Sequence, residues 1–319
     1  MRAYVLDVLG QPGTVRELPA PEPGEGEVLV RMAAAGLNAF DVAVVSGQAQ
    51  SFLEHRLPLV PGLDGAGVVE RVGPGVAGLA PGDRVFGMAS RPYLGSGTVA
   101  EMVALPMAAI ALTPSGLDAL VAAALPTAGL TALAALESLA PQRGQAIAIL
   151  GATGGVGSYA TQLAARSGAT VITLSRPEHQ GYARDLGATE ALDYTQGDPA
   201  AAIRSTAPGG LDGVLDFAAD AQLTSGISET LRPGGTIVAT GRSIDPDALA
   251  ERGLVGRMVR AAGPERLPEL AGWLVEGTLR APALEVFPLD RAREAFALMA
   301  TRHAMGKVVV ALDRAPREV

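Results

Sequence analysis

Apolar and polar positions alternate over residues 27–35, again over 65–72 and briefly over 84–87. A period of two predicts half-buried strands, and residues 1–10 read the same way. Pro-Gly pairs at Pro61-Gly62, Pro74-Gly75 and Pro81-Gly82 mark turns between them. Near residue 117 the period changes. A long Ala/Leu helical region is predicted to 139, followed by strand and helix in alternation. Strands are predicted at 145–150, 170–174, 211–217 and 235–240, and helices at 156–167 and 178–186, with another helix between the last two strands. Beyond about 250 the pattern is less regular, with helices at 267–276 and 291–300 and strands at 284–287 and 307–312.

Alternating β and α elements imply a parallel, doubly wound sheet with right-handed crossovers. The expected architecture is therefore α/β: a β-rich domain over 1–118, a doubly wound domain over 119–250, and a tail over 251–319 that returns to the first domain. A chain of 319 residues accommodates two domains.

Composition narrows the function classes. Hydrophobic residues make up 48% of the chain and charged ones 18%, enough to bury a sizeable core. Mean hydropathy is +0.27 and the pI about 5.0. The net charge is −8 and no basic cluster forms a face, which argues against a nucleic-acid partner. The densest apolar stretch, 117–140, is interrupted by Asp118, Pro126 and Glu137, so no membrane span is expected and the cytoplasm is the default location. The chain has no cysteine, and His55, His179 and His303 lie far apart. A four-Cys zinc site is impossible, and no metal site is expected.

The strongest chemical signal is the segment Ala146-Ile-Ala-Ile-Leu-Gly-Ala-Thr-Gly-Gly-Val-Gly157, a strand running into a glycine-rich turn that opens a helix. Ala152, Gly154 and Gly157 occupy the three small-residue positions of the dinucleotide fingerprint. Small residues let the backbone approach a pyrophosphate, and the helix N-terminus offers it free N–H groups. Ala152, Thr153, Gly154, Gly155 and Val156 are the expected cradle. About 20 residues past the glycines, an NAD site usually carries an acid for the ribose 2′-hydroxyl. Here Ser175 and Arg176 follow the second strand, and a hydroxyl with a guanidinium suits a 2′-phosphate. NADPH is the expected cofactor, although Arg176 also reads as a solvated surface residue.

With these residues in view the chain resembles the zinc-free quinone-oxidoreductase (zeta-crystallin-like) branch of the medium-chain dehydrogenase/reductase superfamily. The likeness runs in order through Pro61-Gly-Leu-Asp-Gly-Ala-Gly-Val-Val69, Val72-Gly-Pro-Gly-Val76, Gly82-Asp-Arg-Val85, Gly97-Thr-Val-Ala-Glu101, Gly129-Leu-Thr-Ala132, the glycine turn and Gly306-Lys-Val-Val309. It implies a GroES-like β-rich catalytic domain around a Rossmann domain. It also implies a homodimer joined along a sheet edge, for which 254–259 is the candidate. Zinc-dependent relatives carry a Cys and then Gly-His-Glu; this chain has Gly36-Leu-Asn-Ala-Phe-Asp41 and Gly62-Leu-Asp64 there.

The resemblance places Asn38 beside the nicotinamide, where a turn-capping Asn is the plainer alternative. Asp41 reads as a cap for the following helix or turn. Thr131 matches a cofactor-contacting Thr, Tyr194 a Tyr near the adenosine end, and Gly241 a glycine passing the nicotinamide. Many relatives carry a tyrosine after the Ser-Gly of the segment matching 45–50, and this chain does not. Tyr93 is the candidate to reach the catalytic site instead, unless it is a surface-loop aromatic. The implied activity is hydride transfer from NADPH to a small quinone or similar electron-poor acceptor. An enoyl or alkenal C=C reductase and a non-catalytic NADPH-binding protein are the alternatives.

Overall fold

A computed structural model describes residues 1–312. The chain runs through β1 (Arg2–Val5), β2 (Thr14–Glu17), β3 (Glu27–Gly36), α1 (Ala39–Val45), β4 (Glu54–Val60), β5 (Asp64–Val72), β6 (Arg84–Met88), β7 (Tyr93–Ser96), β8 (Met102–Pro106), β9 (Ile110–Leu112) and α2 (Ala119–Ala124). It continues with α3 (Pro126–Leu139), β10 (Ala146–Leu150), α4 (Gly155–Arg166), β11 (Thr170–Ser175), α5 (Gln180–Asp185), β12 (Glu190–Asp193), α6 (Pro199–Thr206), β13 (Leu211–Asp216), α7 (Ala221–Ser228), β14 (Leu231–Ala239), α8 (Pro246–Glu251) and β15 (Val255–Met258). The tail holds α9 (Leu267–Val275), β16 (Leu284–Pro288), α10 (Ala292–Ala300) and β17 (Lys307–Ala311).

Two compact units result. One comprises Met1–Thr127 with the chain from Gly263 on, and the other Ala128–Ala262. The divisions fall later than 118 and 250 because α2 packs on β3 and β5, while β15 hydrogen-bonds to β14. The predicted helical region 117–139 is two helices. Pro126 has no N–H to continue the first, so a new helix starts there.

In the first unit, seven strands form one sheet in the order β16-β17-β3-β5-β6-β9, with β8 also on β3. The buried residues of β3 (Val28, Val30, Met32) share a core with Val308 and Val310 of β17 and Phe296 of α10. The Tyr4 ring stacks on Phe296 at 5.3 Å, tying the first strand to the tail. The register sets Gly36 opposite Asp64 on β5 and opposite Val309 on β17.

The second unit is a six-stranded parallel sheet in the order β12-β11-β10-β13-β14-β15. Strand order reverses between β10 and β13, and the carboxyl ends at such a switch point are where open α/β sheets bind ligands. Its strands carry fully buried Ile147, Ile149, Val171, Ile172, Val214 and Ile237, as a sheet covered on both faces requires. Among the described residues no helix is long and apolar enough to cross a membrane.

Candidate active site

In the second unit, β10 ends in a turn built on very close backbone approach. Gly151 has φ +73°, and a Cβ on Gly157 would lie 2.1 Å from the Gly151 carbonyl oxygen and 2.6 Å from the Ala152 Cα. No side chain fits at 157. The fingerprint does not announce the need for glycine at 151; its position directly after the strand is the available signal. Gly154 is the N-cap of α4 and supplies no side-chain cap to the first-turn amides of the helix. Ser158 fixes the turn by donating to the Gly154 carbonyl at 2.7 Å.

Beside this turn β11 ends at Ser175. Its Oγ is buried and has no hydrogen-bond partner among the described residues. A buried polar atom without a partner is costly, and a bound polar group would satisfy it. The neighbouring Arg176 stands 4.0 Å from Glu178, so a carboxylate does lie close to this guanidinium. Glu178 is 60% exposed and the pair is at the limit of contact, so it contributes little and yields readily to a stronger anion.

Tyr194 follows β12 and lines a cavity of about 290 Å³ with Asp198, Asp220, Gln222, Leu223 and Ile227. Thr131 is buried within α3. Gly241 follows β14, where a Cβ would meet that of Ala219 at 2.9 Å. A residue that sequence reasoning missed orders these loops. Asp216, fully buried at the end of β13, accepts from the amides of Ala218 (2.9 Å) and Ala219 (3.1 Å), from Thr224 Oγ1 (2.8 Å) and from the Ser243 hydroxyl.

The first unit brings Asn38 into a charged cluster. Asn38 is the N-cap of α1, and its N–H donates to Asp41 Oδ2 at 2.8 Å, so Asp41 does cap this helix. The Asn38 side chain lies between two charges: Nδ2 donates to Asp64 Oδ2 at 3.0 Å, and Oδ1 accepts from Lys307 Nζ at 2.7 Å. Asp64 also accepts from Thr127 N (3.0 Å) and Thr127 Oγ1 (2.6 Å), and faces Lys307 Nζ at 3.6 Å. Asp41, Asp64 and Lys307 are 1%, 0% and 4% exposed. Burial pushes the Asp64 carboxyl up and the Lys307 ammonium down, and their mutual attraction opposes both shifts. Burial, reinforced by the charge of Asp64 and opposed by Asn38 and Lys307, pushes Asp41 up to about 7.

These residues do not fit zinc. An ammonium already faces Asp64, no cysteine exists in the chain, and no group of three metal-ligating side chains occurs among the described residues. Tyr93, on β7, lines a small cleft together with Phe40, Asp41, Leu63 and Arg91. Arg56 stacks over its ring at 3.6 Å, and its hydroxyl is 3.5 Å from an Arg91 nitrogen.

Comparison with known proteins matches both units. Residues 24–115 match the family model for an alcohol dehydrogenase GroES-like domain, and residues 186–310 the model for a zinc-binding dehydrogenase. The chain is 31% identical over 310 residues to a chloroplastic quinone-oxidoreductase QR1 of Triphysaria versicolor, covering 92% of each protein. It is likewise 31% identical over 322 residues to a chloroplastic NADPH-dependent alkenal/one oxidoreductase of Arabidopsis thaliana, covering 97% of this chain and 79% of that one. Among solved structures, an NAD-dependent alcohol dehydrogenase superposes with a TM-score of 0.89 at 34% identity, over 98% of this chain and 100% of that one.

The Asp41 carboxyl has a stability consequence. It holds its proton up to about pH 7 when folded and releases it near its ordinary 3.8 when unfolded. The native state therefore binds more protons between those values, and stability is lost as pH rises through that window. From pH 5 to 8 the wild type should lose about 3 kcal/mol relative to Asp41→Asn, which keeps an acceptor for the Asn38 amide. Urea midpoints measured across this range check it; parallel curves for the two proteins would contradict it.

Proposed function

Because the chain belongs to the quinone-oxidoreductase branch of the medium-chain dehydrogenase/reductase superfamily, we propose that it is an NADPH-dependent reductase acting without zinc on a small quinone or similar electron-poor acceptor. The observation that carries the reading is the α4 turn, where Gly157 has no room for a side chain and the helix amides are uncapped, with the unpartnered Ser175 Oγ at the next strand end. The turn from Ala152 and Thr153 to Gly154, Gly155 and Val156 holds the pyrophosphate by backbone amides. Ser175 and Arg176 hold the 2′-phosphate, and the cavity beside Tyr194 takes the adenosine end. Thr131, Gly241 and Asn38 serve the nicotinamide end, and Tyr93 borders the acceptor.

Bound NADPH supplies the hydride. The protein contributes position and a pocket that excludes water. Quinones and conjugated enones are already electrophilic, so no metal is needed to polarise them. The reduced product takes its proton from water, so no dedicated acid is required. The similarity to an alkenal/one oxidoreductase favours an enone as the alternative acceptor.

Side-by-side turnover of a quinone and a conjugated enone with NADPH tests the activity. Quinone turnover at the higher kcat/KM is expected. Preference for the enone would reassign the acceptor, and tight NADPH binding with no acceptor-dependent oxidation would leave a binding protein.

Arg176→Ala should weaken NADPH about tenfold or more, the scale of one charged hydrogen bond, and change NADH less than about twofold. Dissociation constants from nicotinamide fluorescence decide this. Equal weakening of both nucleotides would remove Arg176 from the phosphate site.

We also propose a homodimer along β15. This strand ends the six-stranded sheet, and its Val255 and Met258 are exposed by 38% and 48%. An apolar edge strand with free backbone groups pairs readily with a second copy. Sedimentation should give twice the chain mass, and Met258→Lys should shift it to monomer; a monomeric wild type at micromolar concentration would refute it.

A further inference from the structure

Asn38 is the only asparagine in the chain, and Lys307 is the only lysine among 25 lysine and arginine residues. The chain otherwise uses arginine, yet the position facing Asn38 and Asp64 holds a lysine. Its neighbours explain the choice. Lys307 Nζ meets the Leu37 carbonyl at 2.8 Å, Asn38 Oδ1 at 2.7 Å and Asp64 Oδ2 at 3.6 Å. Three acceptors around one nitrogen suit a compact ammonium on a narrow stem; the planar, forked guanidinium does not present its donors this way.

The consequence for Asn38 is a fixed polarity. Its amide nitrogen faces a carboxylate and its carbonyl oxygen faces an ammonium. Turning the amide over would set oxygen against oxygen at Asp64 and nitrogen against nitrogen at Lys307, so the charges allow one orientation. The clamp is itself anchored, because Thr127 binds Asp64 through both its N–H and its hydroxyl, and Leu37 binds Lys307. The clamping side chains are fully enclosed while Asn38 is only half-buried, so Asn38 is the member of the cluster that can meet a ligand.

We propose that Lys307 and Asp64 are positioning residues, which together fix the end of the Asn38 carboxamide that faces the nicotinamide. This rests on the assignment of Asn38 to the nicotinamide end of the cofactor. Neither residue touches the cofactor; both act through Asn38.

Protein labelled with ¹⁵N-asparagine alone shows a single side-chain amide pair, that of Asn38. In the wild type this pair should shift on saturation with NADPH. In Lys307→Met it should already be displaced without cofactor, and its response to NADPH should shrink. The double variant Lys307→Met/Asp64→Asn leaves neither member of the pair as a lone charge, so it keeps the test decisive if the single variant does not fold. Lys307→Arg, which restores charge but not the three-acceptor geometry, should not restore the response. With a benzoquinone acceptor, kcat should fall about tenfold in these variants, with acceptor KM within about twofold, as lost orientation requires. A lower melting temperature with an unchanged NADPH response and unchanged kcat would show a purely structural pair and overturn the proposal alone. A wild-type Asn38 pair indifferent to saturating NADPH would overturn the Asn38 assignment and the proposal with it.

Discussion

At Gly36 the strand β3 is hydrogen-bonded on both flanks, to β5 at Asp64 and to β17 at Val309. Two residues further along the chain from Gly36 stands Asn38, and two residues before Val309 on the antiparallel β17 stands Lys307. Register alone therefore brings together side chains 269 positions apart. A slip of one residue in either pairing would turn Asp64 or Lys307 to the opposite face of the sheet and dissolve the cluster. Gly36 itself is held against α2, since a Cβ there would lie 2.1 Å from the Ala123 carbonyl oxygen. The helix that leads toward Thr127, and so toward the donors that hold Asp64, is thus seated by the same residue that sets the register.

In the second unit the governing constraint is of the same kind, a backbone approach that excludes side chains. Gly151 turns the chain through a positive φ, Gly157 lets α4 start against that turn, and Ala148, Leu150, Ile172, Leu174 and Val214 belong to the apolar core of this unit. The helix begins at Gly154 without a side-chain cap. Asp216 performs the complementary task on the next strand by collecting two loop amides and two hydroxyls. One strand end leaves the buried Ser175 Oγ without a partner, while the Asp216 carboxylate at the other is saturated.

Much of this architecture is legible in the sequence. The strands β3, β5, β10, β11 and β17 declare themselves by alternation or by unbroken apolar runs, and the glycine turn by its spacing between strand and helix. The elements that escape are short and little buried. In β2, Thr-Val-Arg-Glu, no residue is buried; β4 holds Pro58 and buries only its last two positions; β12 buries only Ala191. Such strands are fixed by partners rather than by their own pattern. Asn38 is found through resemblance, and Asp41 through its capping chemistry. Asp64 and Lys307 lie inside motifs that carry the family likeness, but nothing local shows that two charges so far apart will be buried against one amide. That information resides in strand pairing.

The cluster is not explained by stability. Taking a carboxylate and an ammonium out of water costs several kcal/mol each, and their attraction offsets this only when every remaining bond is made. Here a second acid, Asp41, lies close enough for Asp64 to help push it up to about 7. Well-packed apolar residues at 64 and 307 would serve a hydrophobic core at least as well. What apolar residues cannot do is tell one end of a carboxamide from the other. An amide in an apolar socket would have two orientations of nearly equal shape, whereas an acceptor at one end and a donor at the other, here a carboxylate and an ammonium, distinguish them. The arrangement is thus better understood as a device for orientation at Asn38 than as a contribution to the fold. The sequence carries the same sign: a chain that otherwise uses arginine in place of lysine sets its one lysine, enclosed to all but 4%, against its one asparagine.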